Sequence, residues 1–384
     1  MKIFQLIMLR NLLSIFTLSF LGSVYAQTTT SGSYVFDEQT REYRVYIPAA
    51  YDGSTPVPLV FNLHGYGSNN VEQEQYGDFR SIADTANFII VHPMGLVDLF
   101  GSTHWNAFGT SDVDDVGFLS SLIDTIYAAY NIDGNRIYST GMSNGGFMSH
   151  KLACLLSGRI AAIASVTGSI TTTEIDACIT NHPMPVMQIH GTADETVPYE
   201  GNVIFMPVED VVAHWVSFNE CTNEPITTEL PDIDPTDGCT VTHYLYEDGL
   251  LGSTVEFYKV TNGGHTWPGS AFDIGETTYD FNASKEIWRF FSQYSMIELT
   301  SGVAEEEVGF LFDIYPNPSN ESVVNLSFSG LEDKLITVTN LVGQVIFQET
   351  VSQTNVEINL ENQGIYLVTV EAEGQIWTEK IIRN

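Results

Sequence analysis

The chain has 384 residues, 43% of them hydrophobic, which is enough for a sizeable core and, by length, for two folded units rather than one. Its 48 Asp and Glu against 14 Lys and Arg give a formal charge of −34, which repels nucleic-acid backbones and anionic membrane surfaces and argues against both as partners. No CxxC, HExxH or clustered His/Cys spacing is present, so no metal site and no cofactor are expected.

At the N-terminus Lys2 and Arg10 precede an apolar run, Leu12 to Leu21, followed by Val24-Tyr25-Ala26. The run is short for a bilayer span and small residues stand at the cleavage positions, so residues 1–26 are expected to be a signal peptide, with no stable membrane span. Export permits disulfides among the four cysteines. Three pairings are possible, and chain order suggests Cys154 with Cys178 and Cys221 with Cys239.

From about Tyr34 onward, short β-branched and aromatic runs alternate with helical patterns, the signature of a mostly parallel sheet covered by helices on both faces. Buried strands are predicted at Pro58 to Leu63, Phe88 to His92, Arg136 to Thr140, Ala161 to Val166, Pro185 to His190 and Val255 to Val260. Val113, Val116, Leu119, Leu122, Ile123, Ile126, Tyr127 and Tyr130 recur at helical spacing and mark a long crossover helix. Further helices are predicted at Asn144 to Leu156, Glu209 to Asn219 and Ala283 to Tyr294.

This α/β unit is expected to span residues 27–299, with a small, acidic linker at 300–311. From Phe312 the pattern changes to alternation at period two, as in Val324, Leu326 and Phe328, and again in Tyr366, Val368 and Val370. Residues 312–384 are therefore expected to form a small all-β sandwich.

Gly141-Met142-Ser143-Asn144-Gly145 is a G-x-S-x-G placed between a predicted strand and a predicted helix. That is the sharp turn that thrusts a serine hydroxyl out of a sheet as a nucleophile. A serine needs a base, and in this arrangement the chain order is serine, acid, histidine. His265 follows the last strand in a glycine-rich loop, Asn262-Gly263-Gly264-His265, and is the candidate base. Asp194 lies just beyond the preceding strand and is the candidate acid, preferred over Asp176, Asp210, Asp232, Asp234 and Asp237, which lack that placement. His150, His182, His190, His214 and His243 are read as structural. The oxyanion would be held by the backbone N–H of Asn144 and that of Tyr66, in Leu63-His64-Gly65-Tyr66-Gly67. Trp105 and Trp267 lie in loops at the same end of the sheet and are candidate substrate walls, with core packing as the equal alternative.

Together, Asn62-Leu63-His64-Gly65, Trp105-Asn106-Ala107-Phe108, Asp114-Asp115-Val116-Gly117-Phe118, the segment around Ser143, His190-Gly191-Thr192-Ala193-Asp194 and Gly263-Gly264-His265-Thr266-Trp267-Pro268-Gly269 resemble the polyhydroxybutyrate depolymerase and feruloyl esterase group. The resemblance covers about residues 32–291. It implies an α/β-hydrolase fold, Ser143, Asp194 and His265 as the triad, and a substrate that is a feruloyl or acetyl ester of plant polysaccharide or, alternatively, a hydroxyalkanoate polyester. A peptidase with the same triad and a non-catalytic binder are the rival readings.

The tail has a likeness of its own. Phe312-Asp313-Ile314-Tyr315-Pro316-Asn317-Pro318, Gly364-Ile365-Tyr366 and Lys380-Ile381-Ile382-Arg383 resemble the C-terminal sorting domain of type IX secretion substrates. This implies that the type IX machinery is a partner and that the chain travels through the periplasm to the cell surface or beyond. A carbohydrate-binding module is the alternative, but Trp377 is the only tryptophan in this segment.

Overall fold

A computed structural model describes residues 27–384 apart from 176–177, 273, 297–311, 329–332, 341–343, 373–374 and 384. The expected signal peptide and linker lie outside the described residues. The chain divides into two compact units between Gly302 and Val303.

The first unit is built from β1 (Thr28–Phe36), β2 (Gln39–Ile47), β3 (Val57–Leu63), α1 (Asn70–Tyr76), α2 (Arg80–Ala86), β4 (Ile89–Pro93), β5 (Leu96–Val97), β6 (Thr103–His104), α3 (Asp115–Ala129), β7 (Ile132–Met142), α4 (Asn144–Leu155), β8 (Ala162–Val166), β9 (Val186–Gly191), α5 (Val208–Phe218), β10 (Ile226–Glu229), β11 (Thr240–Tyr246), β12 (Val255–Thr261) and α6 (Ala283–Phe291). Ten strands form one sheet in the order β1-β2-β4-β3-β7-β8-β9-β12-β11-β10. From β4 to β12 every neighbouring pair is parallel, and these are the six strands predicted from their apolar runs. The outer pairs on both sides are antiparallel, and β5 with β6 makes a separate hairpin.

Two apolar clusters cover the sheet, one on each face. Strand alternation divides them: Leu59, Phe61 and Leu63 of β3 enter the cluster that holds Leu122 of α3, Phe147 of α4 and Trp215 of α5. Val60 enters the other, with Ala83 of α2 and Ile287 of α6. Side chains that point to opposite faces at period two give a parallel sheet two cores, which is why its strands read as continuous apolar runs.

Cys154 and Cys178 form a disulfide, as expected from chain order. The second expected pair does not form: Cys221 and Cys239 are buried free thiols. Cys221 follows α5 and packs beside Gly249 and Ser253, at the Val255 end of β12. Cys239 precedes Thr240, whose partner Thr261 is the opposite end of that strand. At about 3.3 Å per residue, the intervening strand separates the two by roughly 20 Å, far beyond disulfide reach. They also lie in different core clusters.

The second unit contains β13 (Phe312–Tyr315), β14 (Val323–Phe328), β15 (Lys334–Asn340), β16 (Val345–Val351), β17 (Asn355–Asn359), β18 (Gly364–Ala372) and β19 (Gln375–Arg383). They pair antiparallel as two sheets, β13-β14-β17 and β16-β15-β18-β19. The alternating residues Val324, Leu326, Tyr366, Val368 and Val370 share one buried cluster with Ile336, Val338 and Ile358, so the period-two pattern is the inner face of a small sandwich.

Candidate active site

Ser143 stands between β7 and α4 with φ 55° and ψ −120°, a conformation that costs a non-glycine residue about 1–3 kcal/mol and persists only where its surroundings enforce it. Here its N–H donates to the Val166 carbonyl at 2.8 Å, and its own carbonyl accepts from the N–H of Phe147 at 2.9 Å. The turn is thus tied to β8 on one side and to the first turn of α4 on the other. Gly145 permits the approach: a Cβ there would lie 2.2 Å from the Leu63 carbonyl oxygen, so a larger residue would push α4 off the end of β3.

Asp194 follows β9 and its side chain is fully buried, while the imidazole of His265 is one-fifth exposed. The Nδ1–H of His265 donates to Asp194 Oδ2 at 2.8 Å. The other carboxylate oxygen, Oδ1, accepts from the backbone N–H groups of Thr196 at 2.9 Å and Val197 at 2.8 Å. Burial alone would raise the pKa of Asp194, but hydrogen bonds from His190 and His265 outweigh it and hold this carboxyl well below the usual carboxylate range. An ionised, immobile carboxylate is what an imidazole needs if it is to present its second nitrogen as a base. The loop bearing His265 lies close against β9 because residue 191 is glycine: a Cβ there would sit 2.1 Å from the Gly263 carbonyl oxygen.

Ser143 and His265 line the same cavity, of about 430 Å³. Among the described residues no direct hydrogen bond joins the Ser143 hydroxyl to the imidazole. Tyr66, Tyr76, Met142, Phe272 and Ile274 give the cavity its apolar wall, and Ser68, Glu72 and Gln75 bring polar groups to it. A second cavity of about 470 Å³ beside α5 contains none of the candidate residues, so size alone does not choose the site.

The two expected oxyanion donors border the serine. Asn144 is the first residue of α4, so its N–H has no partner within the helix. The loop holding Tyr66 passes close by, and a Cβ at Gly65 would lie 3.4 Å from that of Ser143. His64 fixes the shape of this loop. The Gly95 N–H donates to its Nε2 at 3.0 Å, which leaves the proton on Nδ1 to donate to the Gly65 carbonyl at 2.8 Å. Burial lowers the His64 pKa to about 4, so the ring stays neutral in this role.

Neither tryptophan lines the cavity, which corrects their reading as substrate walls. Trp105 is 0% exposed. Its indole N–H donates to the His64 carbonyl at 3.0 Å, its backbone N–H donates to Asn144 Oδ1 at 2.6 Å, and its carbonyl accepts from Asn144 Nδ2 at 3.1 Å. One buried residue therefore ties the Tyr66 loop to the residue after the nucleophile. Trp267 is 1% exposed and packs edge-on against Phe79, with its indole N–H on Ser284 Oγ at 3.1 Å. Its backbone N–H donates to the Tyr76 hydroxyl at 3.0 Å, which fastens the His265 loop to α1. The segment around Asp114 and Asp115 serves the same scaffold. Asp115 accepts from Arg41 at 2.5 Å and from the Asn106 N–H at 2.7 Å, next to Trp105.

The remaining histidines after Ser143 lie off the cavity. His243 bonds Glu256 on the neighbouring strand at 2.9 Å, and the Nε2 of His182 faces the carbonyls of Ser157 and Ile160. His150 and His190 are buried beneath the acid. Sequence reasoning did not anticipate the walls formed by Phe272 and Ile274, because no pattern marks residues of an irregular loop as converging on a pocket.

Comparison with known proteins places the chain in a family. Residues 41–203 match the family model described as esterase PHB depolymerase, and residues 313–384 match the secretion system C-terminal sorting domain. The bifunctional acetylxylan esterase/xylanase XynS20E of Neocallimastix patriciarum is 27% identical over 257 residues, covering 67% of this chain and 34% of that one. Feruloyl esterase B of Piromyces equi is 27% identical, covering 59% of this chain and 42% of that one. The protein named "Probable feruloyl esterase C" of Aspergillus terreus is 31% identical, covering 51% of this chain and 73% of that one. The chain thus spans about a third to three quarters of the length of these relatives. It belongs to the esterase family of the polyhydroxybutyrate depolymerases and feruloyl esterases, and it carries a secretion-system sorting domain at its C-terminus.

Proposed function

We propose that this chain is an exported serine esterase that works through an acyl-enzyme. The observation that carries the reading is His265 on the wall of the cavity that also receives Ser143, with the buried Asp194 bonded behind it at 2.8 Å. The Ser143 hydroxyl attacks the ester carbonyl while His265 Nε2 takes its proton, and the N–H groups of Tyr66 and Asn144 stabilise the oxyanion. His265 returns that proton to the leaving alcohol as the C–O bond breaks, leaving the acyl group on Ser143. A water, deprotonated by the same imidazole, then releases the acid and restores the serine. Every step uses the chain's own groups and water.

The substrate class we favour is a feruloyl-type ester of plant polysaccharide, in keeping with the names of two of the relatives, whereas the third is named an acetylxylan esterase/xylanase. A cavity of about 430 Å³ walled by Tyr66, Tyr76, Phe272 and Ile274 matches a flat aromatic acyl group, whereas an acetyl group would leave most of it empty. A polyester substrate is the second reading, favoured by apolar side chains at the mouth. Tyr66, Phe272 and Ile274 are exposed there, and Tyr66 bonds Asp98 beside the exposed Leu99 and Phe100. Assay of the secreted protein on methyl ferulate, acetylated xylan and polyhydroxybutyrate tests the choice: the highest kcat/KM on methyl ferulate is expected, and dominant release of hydroxybutyrate would replace it with the polyester. Labelling by a fluorophosphonate separates an esterase from a non-catalytic binder. For export, the proposal is removal of residues 1–26, passage through the periplasm, and delivery by the type IX machinery acting on residues 312–384.

A further inference from the structure

Behind Asp194 lies a series of buried polar side chains that the acyl-transfer steps do not use. Trp215 on α5, His150 on α4, and Gln188 and His190 on β9 are all 1% exposed or less. The indole N–H of Trp215 meets His150 Nδ1 at 3.2 Å, and His150 Nε2 meets Gln188 Oε1 at 3.1 Å. Gln188 Nε2 reaches the Gly168 carbonyl at 2.8 Å and His190 Nδ1 at 3.3 Å. His190 Nε2 reaches the Val197 carbonyl at 2.9 Å and Asp194 Oδ2 at 3.3 Å.

The direction of these bonds follows from groups that can play only one part. An indole N–H only donates, so His150 Nδ1 is bare and its proton is on Nε2, where it donates to Gln188 Oε1. Burial keeps His150 neutral, with its pKa pulled down to about 4. The Gly168 carbonyl only accepts, which independently sets the amide NH₂ of Gln188 on the side that also faces His190 Nδ1. His190 Nδ1 is then the acceptor and Nε2 carries the proton, a result the Val197 carbonyl requires as well. Three fixed ends therefore agree on one orientation, in which the side-chain to side-chain bonds run from Trp215 through His150 and Gln188 to His190, with side branches to the Gly168 and Val197 carbonyls.

We propose that His190 is a positioning residue for catalysis: its Nε2–H, held in that tautomer by the donor series beginning at Trp215, is shared between the Val197 carbonyl at 2.9 Å and Asp194 Oδ2 at 3.3 Å, and it keeps that oxygen turned to His265. The kinetic part rests on the esterase reading, whereas the tautomer assignment stands without it. Around His190, the ring of Tyr199 packs edge-on, and Lys259, its partner across β12, is engaged by Glu209. Asp194 is the one carboxylate in contact with His190 among the described residues.

The tautomers are read directly by ¹⁵N NMR of the full secreted chain labelled in histidine. Protonated Nε2 and bare Nδ1 are expected at both His150 and His190, and a proton on Nδ1 of His190 overturns the assignment whether or not the protein is active. Kinetics test the role. His190→Leu removes a donor from the carboxylate, leaving Asp194 a stronger partner for the His265 imidazolium, so the acid limb of the kcat/KM profile moves to higher pH. A roughly tenfold fall in kcat with KM within about twofold is expected beside that shift. His190→Gln, which places an amide N–H near the lost Nε2–H, is expected to restore most of the rate and return the limb. A fall in kcat with an unmoved acid limb and no rescue by His190→Gln would show that His190 merely fills space.

Discussion

Replacing Trp105 by Phe separates a brace from a substrate wall. The indole N–H is the donor to the His64 carbonyl at 3.0 Å inside a site that is 0% exposed, so phenylalanine leaves that carbonyl buried without this donor, at a cost of about 1–3 kcal/mol. The smaller ring also leaves a void, worth on the order of 1 kcal/mol after partial collapse. The sum, roughly 2–4 kcal/mol, is read as a lower urea midpoint with an unchanged slope. Kinetically, the Tyr66 loop loses its tie to Asn144, and both oxyanion donors become less well placed. Loss of a whole donor costs about 10²–10³ in kcat, so a loosened pair is expected to cost about tenfold, equally on methyl ferulate and p-nitrophenyl acetate, with KM little changed. A KM that rises on the ferulate and not on the acetate would refute the reasoning, because only a residue touching the acyl group can tell the two apart.

Phe272→Ala and Ile274→Ala should show that opposite pattern, raising KM for methyl ferulate several-fold while sparing p-nitrophenyl acetate; equal effects on both esters would remove them from the acyl pocket. Asp194→Asn is expected to lower kcat by about 10⁴, since an amide can hold the wrong imidazole tautomer, and retention of a tenth of the activity would contradict its role. Because the folded carboxyl of Asp194 is held below its ordinary value of 3.8, its stabilising contribution is present above that pH and is lost as pH falls through the folded value. The stability gap between wild type and Asp194→Asn should therefore narrow below about pH 4, and a gap constant from pH 6 to pH 3 would refute this. Mass spectrometry after alkylation in denaturant should find Cys221 and Cys239 modified and Cys154 and Cys178 protected, and reduction of a bond spanning 24 residues should cost about 3 kcal/mol.

The parallel heart of the fold was legible because burial on both faces leaves strands such as Val57–Leu63 apolar at every position but Asn62. The antiparallel margins were not: β10 is exposed along its whole length, so no apolar period marks it, and α1 and α2 have seven residues each, too few to display a helical repeat. Ser143, Asp194 and His265 could be named because each sits at a strand end where chain order restricts the choice. The tryptophans could not be assigned, since an indole in a glycine-rich loop serves equally as a wall or as a brace. What decides is the depth of the ring and the target of its N–H, and both depend on tertiary contacts such as that of Trp105 with His64. Cys221 and Cys239 were misjudged for the same reason, because nearness in sequence carries no information about the ends of an intervening hairpin.

The central claim is that Ser143 forms the acyl-enzyme, and its most direct test is the steady-state rate of Ser143→Ala on p-nitrophenyl acetate, with the fold checked by circular dichroism. A fall of roughly 10⁴ or more in kcat/KM, with fluorophosphonate labelling abolished, is predicted. Hydrolysis near the wild-type rate by the folded variant would contradict it.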